Sequence, residues 1–128
     1  MVSLGAALNV SVIISTYNAP AWLEKVLWGY AHQTHRDFEI IIADDGSSED
    51  TRALIERVAP TLDQPVIHVH QRDDGFRKCR ILNKAILHAR ADYLLFTDGD
   101  CIPRADFVAG HVAKAAPGAY LSGGNCKL

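Results

Sequence analysis

The sequence predicts an α/β fold in which a mostly parallel sheet carries helices on both faces. Short runs of β-branched and apolar residues alternate along the chain with segments whose apolar residues recur at helical spacing. The strand-like runs are mostly apolar, as is typical of strands buried on both faces of a parallel sheet. This alternation of strands and helices favours parallel strands joined by helical crossovers.

The first predicted strand spans residues 9–16, and a helix follows it. Pro20 suits the first turn of that helix, because the backbone N–H that proline lacks would be unpaired there. A second apolar strand is predicted over residues 38–43. The apolar face of the first helix is expected to hold Trp22, Leu23, Val26, Leu27 and Tyr30.

The second helix is predicted to begin directly after an acidic pair, at two serines. The side chain of Ser47 or Ser48 is expected to cap it by accepting a backbone N–H bond. Pro60 is expected to end the helix, and a short third strand follows over residues 65–69. The apolar stripe of this helix consists of Leu54, Ile55 and Val58.

The second half of the chain repeats the pattern. A third helix precedes the most regular predicted strand, residues 93–97, and a fourth helix and a short strand that begins at 120–122 and reaches 123–124 follow. The third helix is predicted from Ile81, Leu82, Ala85, Ile86 and Ala89. The fourth is predicted from Phe107, Val108, His111, Val112 and Ala115.

Composition limits the class of protein. The 128 residues are 48% hydrophobic and 22% charged, which predicts a single globular domain over residues 1–128. A net charge of −2 gives no electrostatic reason to expect binding to nucleic acid or to an acidic membrane. Three widely spaced cysteines argue against a disulfide scaffold or a zinc cluster. With no integral membrane segment predicted, we expect a cytoplasmic location, with peripheral association with the inner face of the membrane left open.

Polar clusters follow three of the predicted strands: residues 15–18, the pair Asp44–Asp45, and the triplet 98–100. Because parallel strands end at one edge of a sheet, these clusters are expected to lie together where ligands bind in such folds. Four carboxylates at one edge repel one another, and a divalent cation would relieve that repulsion. Oxygen ligands favour Mg²⁺ or Mn²⁺, whose coordination substrate phosphates often complete. The sequence therefore predicts a metal–diphosphate site.

Each cluster also has a purely structural interpretation. Asp44 and Asp45 are turn residues that could do no more than precede a helix. An Asp-x-Asp pattern often lies in a solvated loop, although its position directly after a strand favours function. Arg77 could be an ordinary exposed residue, and Cys101 is expected to pack rather than react, because nearby carboxylates raise the pKa of a thiol. None of the six histidines is predicted to bind a metal.

Four ordered motifs resemble the family 2 inverting glycosyltransferases of the GT-A fold. They are VSVIISTYN (10–18), HQTHRDFEIIIADDGSSEDT (32–51), GFRKCRILNKAI (75–86) and ADYLLFTDGDCIP (91–103). The resemblance implies a Rossmann-like nucleotide-binding half of that fold, without the acceptor half. The GFR and DGDCIP stretches look most like members that build polysaccharides from UDP-sugars.

The resemblance also implies roles for individual residues. Ser15 and Tyr17 match positions that hold the nucleotide base and ribose, and Asp45 matches the residue that binds the pyrimidine ring. Arg77 matches a basic residue near the base and diphosphate.

The remaining roles concern the acidic triplet. Asp98 matches the acid that approaches the ribose and sugar, and Asp100 matches the acid that coordinates the metal, Mn²⁺ or Mg²⁺. In the family the general base lies in the second half of the domain, so it is expected beyond Leu128 and these residues alone are expected to be inactive.

The resulting expectation is a donor-binding region that binds a nucleotide diphosphate sugar, with a UDP-sugar favoured, for inverting transfer to a saccharide or lipid-linked acceptor. The alternative is a non-catalytic nucleotide-sugar-binding module. A phosphoacceptor signalling domain is disfavoured, because its acidic pair normally follows the first strand and here Asp44 and Asp45 follow the second.

Overall fold

Four parallel strands form the centre of the structure, a computed structural model that describes residues 10–114. The strands stand in the order β3-β2-β1-β4 within one sheet. Their bounds are β1 Val10–Thr16, β2 Phe38–Asp44, β3 Val66–His70 and β4 Tyr93–Asp98. The predicted fold class is thereby confirmed. The strand predicted at residues 120–124 lies outside the described residues.

Helices connect the strands and cover both faces of the sheet. Their bounds are α1 Pro20–Ala31, α2 Glu49–Val58, α3 Lys78–His88 and α4 Phe107–Lys114. Side chains of α1, α2 and α4 pack with one set of strand residues, including Val12, Ile14 and Ile42. Those of α3 pack with the alternate set, including Ile13, Ile41 and Val69, because successive side chains in a strand point to opposite faces.

The register of the strands brings their carboxyl ends to one edge. Ser15 of β1 stands opposite Asp98 of β4, and Thr16 stands opposite Asp44 of β2. Asp44 in turn stands opposite His70 of β3. The polar residues that end these strands are therefore neighbours in space although they are far apart in sequence.

Two apolar faces differ from their prediction. The buried face of α1 consists of Leu23, Val26, Leu27 and Tyr30. Trp22 is 46% exposed, because it lies in the first turn beside that face, and Lys25 Nζ stands 5.0 Å from its ring centroid. On α3, Ile81 and Ala85 are buried, whereas Ile86 lies at the margin of the face and is exposed.

The predicted serine cap of α2 is wrong. Ser48 occupies the N-cap position, but its side chain makes no capping hydrogen bond. The Ser47 hydroxyl instead accepts the Asn18 backbone N–H at 2.8 Å, and Asn18 Oδ1 accepts the Ser48 N–H at 2.7 Å. These serines therefore tie the loop after β1 to the start of α2. Beyond Val58 the chain continues as a short 3₁₀ helix, Ala59–Thr61, which contains Pro60.

Within residues 10–114, no helix combines the length and the apolar character that crossing a membrane requires.

Candidate functional site

A cleft of about 430 Å³ opens at the carboxyl ends of β1, β2 and β4. It lies where the strand order reverses, since β2 and β3 continue on one side of β1 and β4 lies on the other. Every predicted site residue except Arg77 lines it. The polar side chains that line it include Ser15, Tyr17, Asp45, Lys78, Asp98 and Asp100.

Asp45 presents a buried and fixed carboxylate to the cleft. The residue is 6% exposed, and its backbone N–H donates to the Thr16 carbonyl at 3.1 Å. Gln71 Nε2 donates to Asp45 Oδ1 at 2.7 Å, and the Arg77 backbone N–H donates to Asp45 Oδ2 at 2.8 Å. Each carboxylate oxygen thus accepts one N–H and keeps further acceptor capacity.

Asp98 joins two elements of the cleft. Its Oδ1 accepts the Ser15 hydroxyl at 2.7 Å and Lys78 Nζ at 3.0 Å. The Ser15 hydrogen bond and then Lys78 lower the pKa of the Asp98 carboxyl, which therefore remains ionised at neutral pH.

The glycine between the two acids of the triplet allows a close approach of backbones. The Gly99 N–H donates to the Ser15 carbonyl at 2.7 Å. A Cβ at Gly99 would stand 3.0 Å from that carbonyl oxygen and 3.1 Å from Thr16 Oγ1. A glycine here lets Asp98 and Asp100 both sit at the mouth of the cleft.

Asp98, Asp100 and Cys101 could each place a ligand atom within 4.8 Å of the others. Burial and then the charge of Asp100 raise the pKa of the Cys101 thiol, and sulfur is not a ligand that Mg²⁺ or Mn²⁺ prefers. The available donors are therefore the carboxylate oxygens of two exposed residues. Such a donor set fits Mg²⁺ or Mn²⁺, which are commonly held by one or two carboxylates.

Tyr17 reaches across the cleft to the loop between β3 and α3. Its hydroxyl donates to Asp73 Oδ2 at 2.8 Å, and this hydrogen bond raises the pKa of Tyr17. The ring is 49% exposed. The same loop passes close to the turn after β2. A Cβ at Gly46 would be only 2.4 Å from Asp73 Cα, so the close approach requires a glycine there. Tyr17 therefore forms part of the wall of the cleft, and Phe76 is a second aromatic residue that lines it.

Arg77 approaches the site through its main chain. Its backbone N–H reaches Asp45, whereas the exposed guanidinium donates from Nη1 to the Phe76 carbonyl at 3.1 Å. The role predicted for the Arg77 side chain stays a prediction.

Asp44 does not line the cleft with Asp45, Asp98 and Asp100. The predicted repulsion among four carboxylates required all four in one site, so that prediction is wrong for Asp44. Its side chain is 1% exposed, and Oδ2 lies 2.8 Å from His68 Nε2. Oδ1 accepts the Ser47 N–H at 2.8 Å. Because Asp44 and Asp45 are consecutive at a strand end, their side chains diverge, and Asp44 braces the turn instead.

Sequence reasoning missed three residues of this region: Lys78, Gln71 and Asp73. Lys78, like Arg77, is a cation at the start of a helix, where it interacts unfavourably with the helix dipole. Its position there could therefore have indicated a role in binding. Gln71 and Asp73 lie in a loop whose polar composition carries no comparable pattern.

The family match and the similar proteins found for this chain agree with one another. The protein-family model described as "Glycosyl transferase family 2" matches residues 11–126 of this chain. A hyaluronan synthase of Pasteurella multocida is 35% identical over 107 residues, which are 83% of this chain and 11% of the synthase. A chondroitin synthase of Pasteurella multocida (strain Pm70) is 29% identical over 108 residues, 84% of this chain and 11% of that protein.

Solved structures agree with the family match. The mannosyltransferase PcManGT from Pyrobaculum calidifontis, in complex with GDP-Man and Mn²⁺, gives a TM-score of 0.76 at 31% identity and covers 85% of this chain and 33% of that chain. S. aureus TarS 1-349, in complex with UDP-GlcNAc, gives 0.69 at 25% identity and covers 82% and 30%. The chain thus spans a small part of the two synthases and about a third of these structures.

Proposed function

The chain belongs to glycosyl transferase family 2, and from this premise we propose that its cleft binds the sugar donor, a nucleoside diphosphate sugar with UDP as the favoured nucleotide. The observation that carries the proposal is the convergence of Asp45, Lys78, Asp98 and Asp100 in one cleft at the switch in strand order. The buried carboxylate of Asp45 is suited to accept an N–H of a nucleobase. The Lys78 ammonium, beside the exposed carboxylates of the acidic triplet, is suited to a diphosphate and its metal ion. The related solved proteins bind UDP-GlcNAc or GDP-Man.

Asp45 is proposed to select the nucleobase. A carboxylate can only accept hydrogen bonds, and uracil offers an N–H at ring position N3, where cytosine has an acceptor. A carboxylate facing that edge favours UDP over CDP, because the cytosine nitrogen would be left unpaired against a negative charge. Guanine also offers a ring N–H, so GDP belongs in the same comparison. Ser15 and Tyr17 are proposed to contact the base and ribose.

The diphosphate is proposed to lie between Lys78 and the acidic triplet. Asp100, assisted by Asp98 near the ribose and sugar, would hold Mn²⁺ or Mg²⁺. When bound, that ion neutralises the phosphates and stabilises the departing nucleoside diphosphate. The exposed Arg77 guanidinium is proposed as a second cation near the base and diphosphate. Lys78 supplies a fixed positive charge from the first turn of α3.

For the whole protein we propose inverting transfer of the sugar to a hydroxyl of a saccharide or lipid-linked acceptor. The general base of that reaction is assigned to no residue of this chain. Binding of the donor is therefore the step that this chain can be used to test.

Calorimetry of the 128-residue chain tests the proposal. UDP is titrated in Mn²⁺, in Mg²⁺ and in EDTA, and we expect affinity at least about tenfold higher with metal, a difference of about 1.4 kcal/mol. Asp100→Ala should remove this dependence on metal.

Asp92→Ala is the matched control, because Asp92 is an exposed acid next to the opposite end of β4 and its loss changes the net charge equally. Equal affinity with and without metal would reject the metal site. Absence of UDP binding under all three conditions would reject the donor site itself.

A further inference from the structure

We propose that Gln71 is a positioning residue that fixes the Asp45 carboxylate for selection of the nucleobase. The inference rests on the proposed function, and it concerns a side chain that acts from behind the cleft. Gln71 follows β3 directly and is 7% exposed. The cleft is lined by Asp45 and not by Gln71. Any influence of Gln71 on a nucleotide must therefore pass through another residue.

The amide of Gln71 has both of its N–H groups committed. Nε2 donates to Asp45 Oδ1 at 2.7 Å and to the Arg77 carbonyl at 3.1 Å. Both neighbours are pure acceptors, so the amide nitrogen must face them, and the reverse orientation would set oxygen against oxygen. The Gln71 backbone N–H also donates to the Asp44 carbonyl at 3.3 Å. One residue therefore links the end of β2 to the start of α3.

Together with Arg77, Gln71 holds the Asp45 carboxylate in a fixed plane. Gln71 donates to one carboxylate oxygen and the Arg77 backbone donates to the other, at 2.7 and 2.8 Å. Rotation of the carboxylate would break at least one of these bonds in a buried place, where water cannot replace it. The lone pairs left for a ligand are thus aimed before any nucleotide arrives, which lowers the ordering cost of binding.

Holding the Asp45 carboxylate in place without neutralising its charge requires an uncharged hydrogen-bond donor. A lysine or arginine at position 71 would pair with Asp45 and neutralise the charge that a base N–H meets. A glutamate would repel it, and an apolar side chain would leave Oδ1 free to turn. Gln71 Oε1 accepts no hydrogen bond from the described part of the chain although it is buried.

The experiment is a double-mutant cycle read as the ratio of UDP to CDP affinity. Gln71→Met keeps the length of the side chain and removes the donor, and Asp45→Asn removes the acceptor charge. We expect each single variant to lower the UDP:CDP ratio by about tenfold or more. In the double variant, Gln71→Met should add little to the effect of Asp45→Asn, because Gln71 acts through that carboxylate.

Gln64 provides the matched control. It is also a buried glutamine, 4% exposed, whose Nε2 donates to a backbone carbonyl, that of Arg36, at 3.2 Å, and whose Oε1 is unpaired among the described residues. It precedes β3, at the end of the sheet away from the cleft. Gln64→Met should leave the UDP:CDP ratio unchanged. A lower ratio in this variant as well would mean a general structural effect and would overturn the inference.

The outcomes separate this inference from the proposed function. A ratio that responds to Asp45→Asn but not to Gln71→Met overturns the role of Gln71 and leaves the donor site standing. A ratio that does not respond to Asp45→Asn overturns this inference and the proposed role of Asp45 in base selection. A wild-type chain that binds no UDP overturns the inference together with the proposed donor site. Should Gln71→Met fail to fold, NMR of the wild-type chain decides. The Gln71 side-chain amide protons should exchange slowly with water, and rapid exchange would refute the clamp on Asp45.

Discussion

Lys78→Met is the perturbation that most directly tests the electrostatics of the cleft. Lys78 Nζ stands 3.0 Å from Asp98 Oδ1, and the two side chains are 40% and 52% exposed. Methionine retains the length and apolar stem of lysine and removes only the charge and its donors. The variant therefore asks whether this cation serves the fold or the ligand.

The structure predicts a small effect on stability and a larger one on binding. An ion pair this exposed contributes about 0–1 kcal/mol to folding. A phosphate about 4 Å from the ammonium would interact with it by about 4 kcal/mol at an effective dielectric constant of roughly 20. Hydration and salt reduce that value at a half-exposed site, and we expect about 1.4–2 kcal/mol to remain, a loss of roughly 10- to 30-fold in UDP affinity. Asp98 adds to the loss, because it would face the phosphates without its partner.

The assay is calorimetric titration of UDP in Mn²⁺ at low and high NaCl, with urea unfolding of the same samples. Lys78→Met should bind more weakly and respond less to salt, while its unfolding free energy stays within about 1 kcal/mol of wild type. Lys84→Met, at an exposed position further along the same helix, is the control and should bind as wild type does. UDP affinity within about twofold of wild type would refute the placement of the diphosphate beside Lys78.

Two further predictions concern the turn that supports Asp45. Burial raises the pKa of the Asp44 carboxyl, but hydrogen bonds from His68 and Ser47 outweigh it and lower this pKa overall. The stability it contributes is therefore present at neutral pH and lost as the pH falls below about 4, and Asp44→Asn should flatten that loss in urea unfolding; an unchanged slope would contradict this. Gly46→Ala should destabilise the fold by at least about 1 kcal/mol and weaken UDP binding, because φ is +97° and the position of a Cβ would be 2.4 Å from a backbone atom. Gly110→Ala on α4, where a Cβ would have no atom of residues 10–114 within 4 Å, should instead be neutral or stabilising, and an equal loss in both variants would count against the explanation.

The strands were predictable from local pattern. The predicted range 38–43 became Phe38–Asp44, and 93–97 became Tyr93–Asp98. Both runs are mostly apolar and end in an acidic residue, and short apolar runs of this kind are typical of strands buried on both faces of a parallel sheet. The exposure of Trp22 could not be predicted in this way. Periodicity locates the apolar face of a helix, but it does not show how much of that face the neighbouring elements cover.

Local sequence pattern is enough to predict that polar residues end several parallel strands at one edge of the sheet. The partner that each carboxylate takes follows instead from the packing of distant segments. Ser15 and Asp98 bond across 83 positions of sequence, and Gln71 and Asp45 across 26. Such pairs depend on strand order and register, which local periodicity does not encode. Asp44 and Asp45 are adjacent in the chain, yet one braces a turn and the other faces the cleft, because consecutive side chains at a strand end diverge.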